Sequence, residues 1–360
     1  MRKISVILML AISILLASCA SNSSNSANKD ANVNANESNK KEKLVISTWG
    51  LGMDKLTEDI YKPFEEENNC EIVVDSGSTA ERYEKLKSNP NYEADVVELS
   101  ELYSSRALVD NLFEKLDYSK IENVEFLIDQ AKEKTSNGEG PAFTTNGIMV
   151  LYNPKLIKEG SITKWEDLWK EEFKNQIAIP ALSSTFGPAI LYMTADVCGV
   201  DIKENEDLVF DKLNELKENV VTTYSKGSEL VNLMQNEEVS IAIVGDFTYP
   251  SIKNVISDII SVYPDNLTYL NFNTININKN SKNKELAYKF INYRISKEVA
   301  DRTSKSLNEA PVNKNVELSE ELSKYMTYGD IVKNAKTIDF AFVNERLSNW
   351  LDKFNNTFNQ

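Results

Sequence analysis

The sequence predicts an α/β protein in which parallel strands are flanked by helices, on three observations. Short runs of aliphatic and β-branched residues recur, at 44–47, 71–74, 94–97, 177–179 and 240–244. Amphipathic stretches of helical period lie between them. Caps and turn residues separate the two kinds of segment, the alternation expected of a sheet covered by helices. Residues 44–360 suffice for one large domain or two lobes with substantial cores. No second linker interrupts them, so two lobes would require the chain to cross between them more than once.

The first forty residues stand apart. Arg2 and Lys3 precede an uncharged apolar run over 4–17, which ends Leu16-Ala17-Ser18-Cys19. The run is short for a membrane span and has the layout of a secretory signal. The last four residues look like a bacterial lipobox, with Cys19 as the thiol that takes the lipid. Residues 1–18 are then a lipoprotein signal peptide, and acyl chains contribute about 0.8 kcal/mol per buried CH₂ to anchoring. Residues 20–43 hold seven Asn, five Ser and four Ala, and Val33 is their only apolar residue larger than Ala. Such composition does not fold. The stretch 19–43 is expected to be a lipidated, disordered tether with a reach on the order of 25–30 Å.

Beyond the tether a strand over 44–47 leads into Trp49, Gly50 and a helix over 54–67 with Leu56, Ile60, Tyr61 and Phe64 on one face. A strand over 71–74 follows, then a capping box of Ser78 and Glu81 opening a helix through Leu86. Next come a strand over 94–97 and a helix around 105–109. Further on, Gly147 to Tyr152 reads as a buried strand, Trp165 to Trp169 as a short helix and 177–179 as a strand. A helix over 187–198 and another over 229–235 precede the strand at 240–244, and helices over 286–295 and 340–354 dominate the last third.

Composition restricts the chemistry. The net charge is −15 and no basic stretch is interleaved with aromatics, which argues against nucleic acid as a partner. Histidine is absent, removing Ser-His-Asp and Cys-His catalysis and His-ligated zinc. A carboxylate-pair hydrolase survives, since it needs only two acids. Nothing calls for a cofactor or a metal. Cys70 and Cys198 are expected as buried free thiols.

Landmarks in order then carry a family resemblance. They are the strand ending at Trp49; Tyr92-Glu93-Ala94-Asp95-Val96-Val97; Lys164-Trp165-Glu166-Asp167-Leu168-Trp169 with Ile177-Ala178-Ile179-Pro180; Asn236-Glu237-Glu238 before Ile241; and 282–293. Together they resemble the bacterial extracellular solute-binding proteins, in the branch that includes spermidine/putrescine receptors of ABC importers. The resemblance implies a periplasmic-binding-protein-like type II fold: two α/β lobes joined by crossing hinge strands around a ligand cleft. It places lobe 1 at 44–144 and 276–310 and lobe 2 at 147–272 and 311–360, with crossings near 144–146, 273–276 and 310–311. It also implies a monomer that captures a small polar solute and hands it to a membrane permease driven by an ATPase, at the outer face of what reads as a single-membrane cell.

Ligands of open α/β sheets sit beyond the carboxyl ends of strands. That rule selects Trp49 and Gly50; Ser100 and Glu101; Ser183, Ser184 and Thr185 before the helix at 187; Asp246 and Tyr249; and, by the resemblance, Asn273. Trp49 could stack on a ligand or face a cation. The three hydroxyls suit an anion or serve as a cap. Asp246 would pair with a ligand amine, and its removal is expected to weaken binding without unfolding the domain. Polyamine receptors carry acids where Leu182, Thr185 and Asn273 stand here, and a tyrosine at Leu102. The sequence therefore points to an amino-acid-like or amine ligand, with polyamine or thiamine as the alternative. An adhesin on the same fold, or the carboxylate-pair hydrolase, is the alternative of another class.

Overall fold

The computed structural model describes residues 41–136 and 138–358, so the signal peptide, Cys19 and nearly all of the tether lie outside the described residues. The described residues form ten strands: β1 (Glu42–Thr48), β2 (Cys70–Ser76), β3 (Val96–Ser100), β4 (Ala142–Tyr152), β5 (Ile177–Pro180), β6 (Val220–Tyr224), β7 (Ile241–Gly245), β8 (Ile260–Val262), β9 (Leu270–Ile277) and β10 (Ala310–Pro311). Eight run side by side in the order β2-β1-β3-β9-β4-β7-β5-β6. Glu42 and Lys43, assigned to the tether by composition, pair in parallel with Cys70 and Glu71, so the strand begins two residues early. Register with a neighbouring strand overrides their charge.

The sheet is mixed, not parallel. β1 pairs β2 and β3 in parallel, as β5 does β6 and β7, but β9 and β4 run antiparallel to their neighbours. The reason is β4. Its first half, Ala142 to Gly147, pairs β9; its second half, Ile148 to Tyr152, pairs β7. One eleven-residue buried strand thus belongs to the sheets of both lobes. Gly147 stands at the change of partner, where a Cβ would come within 2.4 Å of the hydroxyls of both Thr268 and Thr327. β10 joins β4 at Thr145 and Thr144. β9 lies along β4 from Leu270 onward and along β3 from Asn273, so the chain is back in the first sheet before the stretch 273–276 expected to make the crossing.

Three apolar clusters hold the layers. One packs Leu44, Ile46, Ile60, Phe64, Phe290 and Ile291 between the first sheet and its helices. The largest runs from Trp165 and Ile179 to Trp350 and Phe354 of the C-terminal helix, Phe340–Phe358. β7 divides by its period of two: Ile241 and Ile243 face that cluster, while Ala242 and Val244 face a third with Leu230, Met234 and Ile252. Each fully buried Leu, Ile or Phe contributes roughly 1.5–3 kcal/mol.

Local rules place several elements as expected. The Ser78–Glu81 capping box is formed, and helix Gly187–Cys198 has its expected bounds. The helix expected over 54–67 contains a π turn, Thr57–Tyr61, followed by Lys62–Asn68. Pro63 lacks the N–H that Asp59 O would accept in an α-helix, and Arg302 Nε supplies a donor at 3.0 Å instead. β3 falls two residues later than expected and helix Glu101–Val109 starts earlier. All five β3 residues are buried, Glu98 and Ser100 included, so the polar residues in 98–101 read as a loop. Cys70 and Cys198 are free; Cys70 is buried but Cys198 only half so.

Candidate functional site

The carboxyl ends of β1, β2 and β3 are fastened by one side chain that no sequence motif marks. Arg82, in helix Thr79–Ser88, is fully buried; its Nε donates to Gly77 O at 3.1 Å. Its Nη1 donates to Ser47 O at 3.2 Å and to Glu98 O. The guanidinium lies 4.4 Å from the Trp49 ring centroid, and Trp49 Nε1 donates to Thr79 Oγ1 at 2.9 Å. Trp49 is half-buried, and the cation its indole meets is the protein's own. Gly50 beside it is exposed. Burial lowers the Arg82 pKa to about 10, with Glu98 opposing, so it stays charged at neutral pH.

Behind Arg82 lies a buried ionic group. Thr48 Oγ1 donates to Glu98 Oε2 at 2.5 Å, and Arg294 Nε lies 3.4 Å from Glu98 Oε1. Arg294 Nη2 reaches both oxygens of Glu309, just before β10, at 2.7 and 2.9 Å. Charges this deep persist only when paired.

Ser100 closes β3, is fully buried, and its Oγ has no hydrogen-bond partner. Glu101 is differently placed from what its position suggested. Its carboxylate accepts from Lys134 Nζ and from Phe272 N at 3.2 Å, so both oxygens are engaged. Burial pushes this carboxyl up, against the pull of Lys134.

Ser183, Ser184 and Thr185 lie half-buried after β5. None caps helix Gly187–Cys198, whose N-cap is Phe186 with no side-chain bond. The loop is a tight turn: Ser184 N donates to Ala181 O at 2.8 Å and Gly187 N to Ser184 O at 3.1 Å. A Cβ on Gly187 would meet Leu182 O at 2.3 Å. Ser184 Oγ is buried without a partner. Tyr103 Oη donates to Ser183 O at 3.1 Å, joining the helix after β3 to the loop after β5.

Asp246 is neither a solvated turn residue nor an open acid. It is 1% exposed. Oδ2 accepts from Thr327 N at 2.7 Å and Oγ1 at 2.5 Å, from Tyr263 Oη at 3.2 Å and from Gly147 N at 3.3 Å. Oδ1 accepts from Asn146 Nδ2 at 3.4 Å. Burial pushes the carboxyl up to about 6, with the Thr327 and Gly147 donors opposing. Tyr249 is buried and stacked on Tyr325, centroids 4.1 Å apart and planes 11° from parallel.

Asn273 links these groups. Glu101 N donates to Asn271 Oδ1 (3.3 Å), Asn271 Nδ2 to Asn273 Oδ1 (3.0 Å), Asn273 Nδ2 to Asn146 Oδ1 (2.9 Å), and Asn146 Nδ2 to Asp246. One run of side-chain amides thus joins the end of β3, strands β9 and β4, and the end of β7. The strand-end rule does not select Arg82, Asn146, Asn271, Tyr263 or Thr327. Asn271 had a signal, since it shares a strand face with Asn273. Arg82 and Thr327 had none.

Two surface depressions lie elsewhere, one floored by Tyr152, Ile162, Ile260 and Tyr263 and one beside Asn153, Gln235 and Asp258; neither touches an expected site residue. Among the described residues no cluster of three His, Cys, Asp or Glu side chains could hold a metal, and no helix is long and apolar enough to cross a membrane.

Strand ends facing each other across shared crossing strands are the geometry of a solute receptor, and comparison with known proteins agrees. The model of the family described as bacterial extracellular solute-binding protein matches residues 59–329. The chain belongs to that family. A crystal structure of an ABC transporter from Clostridium perfringens is 48% identical, with a TM-score of 0.75 over 88% of this chain and 99% of that one. The spermidine/putrescine-binding periplasmic protein 1 of Haemophilus influenzae is 24% identical over 81% of this chain and 82% of its own. A spermidine/putrescine substrate-binding protein from Streptococcus pneumoniae, at 23% identity and a TM-score of 0.71, covers 87% of this chain and 98% of that one, and shares the fold. The fold is the type II periplasmic-binding architecture, and this solute-binding protein acts outside the cytoplasm as the substrate-binding component of an ABC transporter. Its relatives are receptors, not enzymes.

Proposed function

We propose that this protein is a lipid-anchored receptor that takes a small polar, amino-acid-like solute into the cleft between its lobes. The ligand would meet Trp49, Ser100, the 183–185 loop and Asn273, and the closed form would be presented to the permease. The observation carrying this reading is the Tyr103–Ser183 bond. It brings the strand ends of the two lobes within reach of one small molecule, and a ligand touching both favours closure. A micromolar ligand supplies about 8 kcal/mol, ample for a closure costing a few.

The names of the relatives favour a polyamine, but the acids here are occupied. Glu101 is engaged by Lys134 and Asp246 by five donors, which leaves little for a ligand with several ammonium groups. An amino-acid-like ligand fits better. Titrating the purified protein with amino acids, simple amines, thiamine and polyamines, followed by tryptophan fluorescence and melting temperature, tests the reading; no response across that panel would sink it.

Lipidation at Cys19 rests on the sequence alone. Cys19→Ser should move the protein from the membrane pellet to the soluble fraction, and persistence in the pellet would refute the anchor.

A further inference from the structure

The unmet hydrogen bonds at the strand ends have a common character. Arg82 carries five N–H donors. Three of its bonds go to backbone carbonyls through Nε and Nη1, while Nη2 is buried and has no partner. Ser100 Oγ, at the end of β3, and Ser184 Oγ, in the loop after β5, are also buried and unpartnered. A buried donor left unpaired is costly, more so when it is charged. The carboxylates of this edge are in the opposite condition, since Glu98, Glu101 and Asp246 all accept bonds from the protein. Of the unpartnered oxygens, Asp59 Oδ2 and Asn344 Oδ1 belong to helices, and Glu139 Oε2 lies on the approach to β4 beside Glu101, where burial keeps that carboxyl protonated to a higher pH than usual.

We infer that the ligand carries a carboxylate, and that Arg82 Nη2 and the Ser100 hydroxyl receive it. This rests on the receptor reading above and specifies it. Trp49 covers one face of the guanidinium, which leaves the edge for bonds in its plane, the geometry a carboxylate uses. The three backbone carbonyls already hold Arg82 in place, so little side-chain freedom remains to be lost on binding. Ser184 Oγ, from the other lobe, is the second polar contact that closure would add.

The test uses matched probes on the full chain: glycine, L-alanine, L-glutamate and 4-aminobutanoate, each beside its carboxamide, with putrescine and spermidine, measured by calorimetry. At least one carboxylate binds, and its amide binds about tenfold or more weakly. Ser100→Ala deletes a hydroxyl that bonds nothing in the free protein. Its ligand-free melting temperature is therefore unchanged or higher, while affinity for the carboxylate falls about tenfold. Arg82→Lys keeps the charge but loses the planar fork and weakens the same ligand; should it fail to fold, Ser100→Ala decides alone. Binding of a polyamine with no carboxylate bound, equal affinity for acid and amide, or full affinity in Ser100→Ala overturns the inference and leaves the receptor reading intact. No binding by any probe overturns both.

Discussion

Ser100 and Asp246 hold corresponding stations, one closing β3 in the first lobe and one following β7 in the second, each beside a crossing strand. Both are buried. Asp246 accepts five hydrogen bonds from four residues, whereas the Ser100 hydroxyl has none. A polar group satisfied by the protein is a joint of the fold, and one left short has capacity for something else. Position at a strand end is therefore not enough to make a ligand contact. Asp246 pins Thr327 and Tyr263 to the point where β4 changes partner, and its removal acts on folding first.

The largest effect that would sharpen this contrast is on Asp246. Asp246→Ala leaves Thr327 N, Gly147 N and Tyr263 Oη without an acceptor and should cost roughly 3–5 kcal/mol in urea unfolding. This replaces the expectation of weaker binding in an intact domain, and an unchanged urea midpoint would break the contrast.

A somewhat smaller effect follows from Glu139, which is buried beside Glu101 and Lys134. Burial, with Glu101 adding to it, raises its carboxyl from 4.5 to about 7, while a bond from Ser104 and the charge of Lys134 oppose the rise. The folded state therefore holds a proton that the unfolded chain has released between those values. Its stabilising contribution is complete below pH 4.5 and lost as pH rises through about 7. Raising the pH from 5.5 to 8 should lower stability by about 2 kcal/mol. Asp246, raised to about 6, adds in the same direction. Glu139→Gln should flatten the slope; an equal slope in that variant would assign the pH dependence elsewhere.

Tyr103→Phe removes the hydroxyl that reaches Ser183 across the lobes and should cost about 1 kcal/mol. Small-angle scattering of the ligand-free variant should show a larger radius of gyration, and an unchanged radius would mean that packing alone holds the lobes together. The smallest effect is at the surface. Lys333 and Asp330 form an exposed pair, and Lys333→Ala should leave the urea midpoint where it is.

Much of the first sheet was legible because apolar runs, the Ser78–Glu81 box and the helix over 187–198 are local signals. β3 was misplaced because Glu98 and Ser100 are buried polar residues, and a strand buried on both faces has no alternation to read. The helix over 54–67 was recognised, but its π turn was not, since the free carbonyl of Asp59 finds its donor in Arg302, far along the chain. Helix Glu206–Leu216 and β6 were not assigned, although Val209, Leu213 and Leu216 share a helical face and are buried. Of the expected contacts, Ser100 and Ser184 keep unpartnered hydroxyls and Trp49 is half-buried; Glu101, Asp246 and Asn273 are engaged by the protein and Tyr249 is stacked on Tyr325.

By itself the sequence determined the α/β class, the family and the stations where a ligand could be met, because apolar period, caps and strand ends are written in neighbouring residues. Tertiary structure decided which stations are occupied by the protein itself. Arg82 against Trp49, Lys134 against Glu101 and Thr327 against Asp246 are partners 33 to 81 positions apart along the chain. Whether a buried polar atom is satisfied depends on what folding brings within 3 Å, and no local pattern encodes that distance.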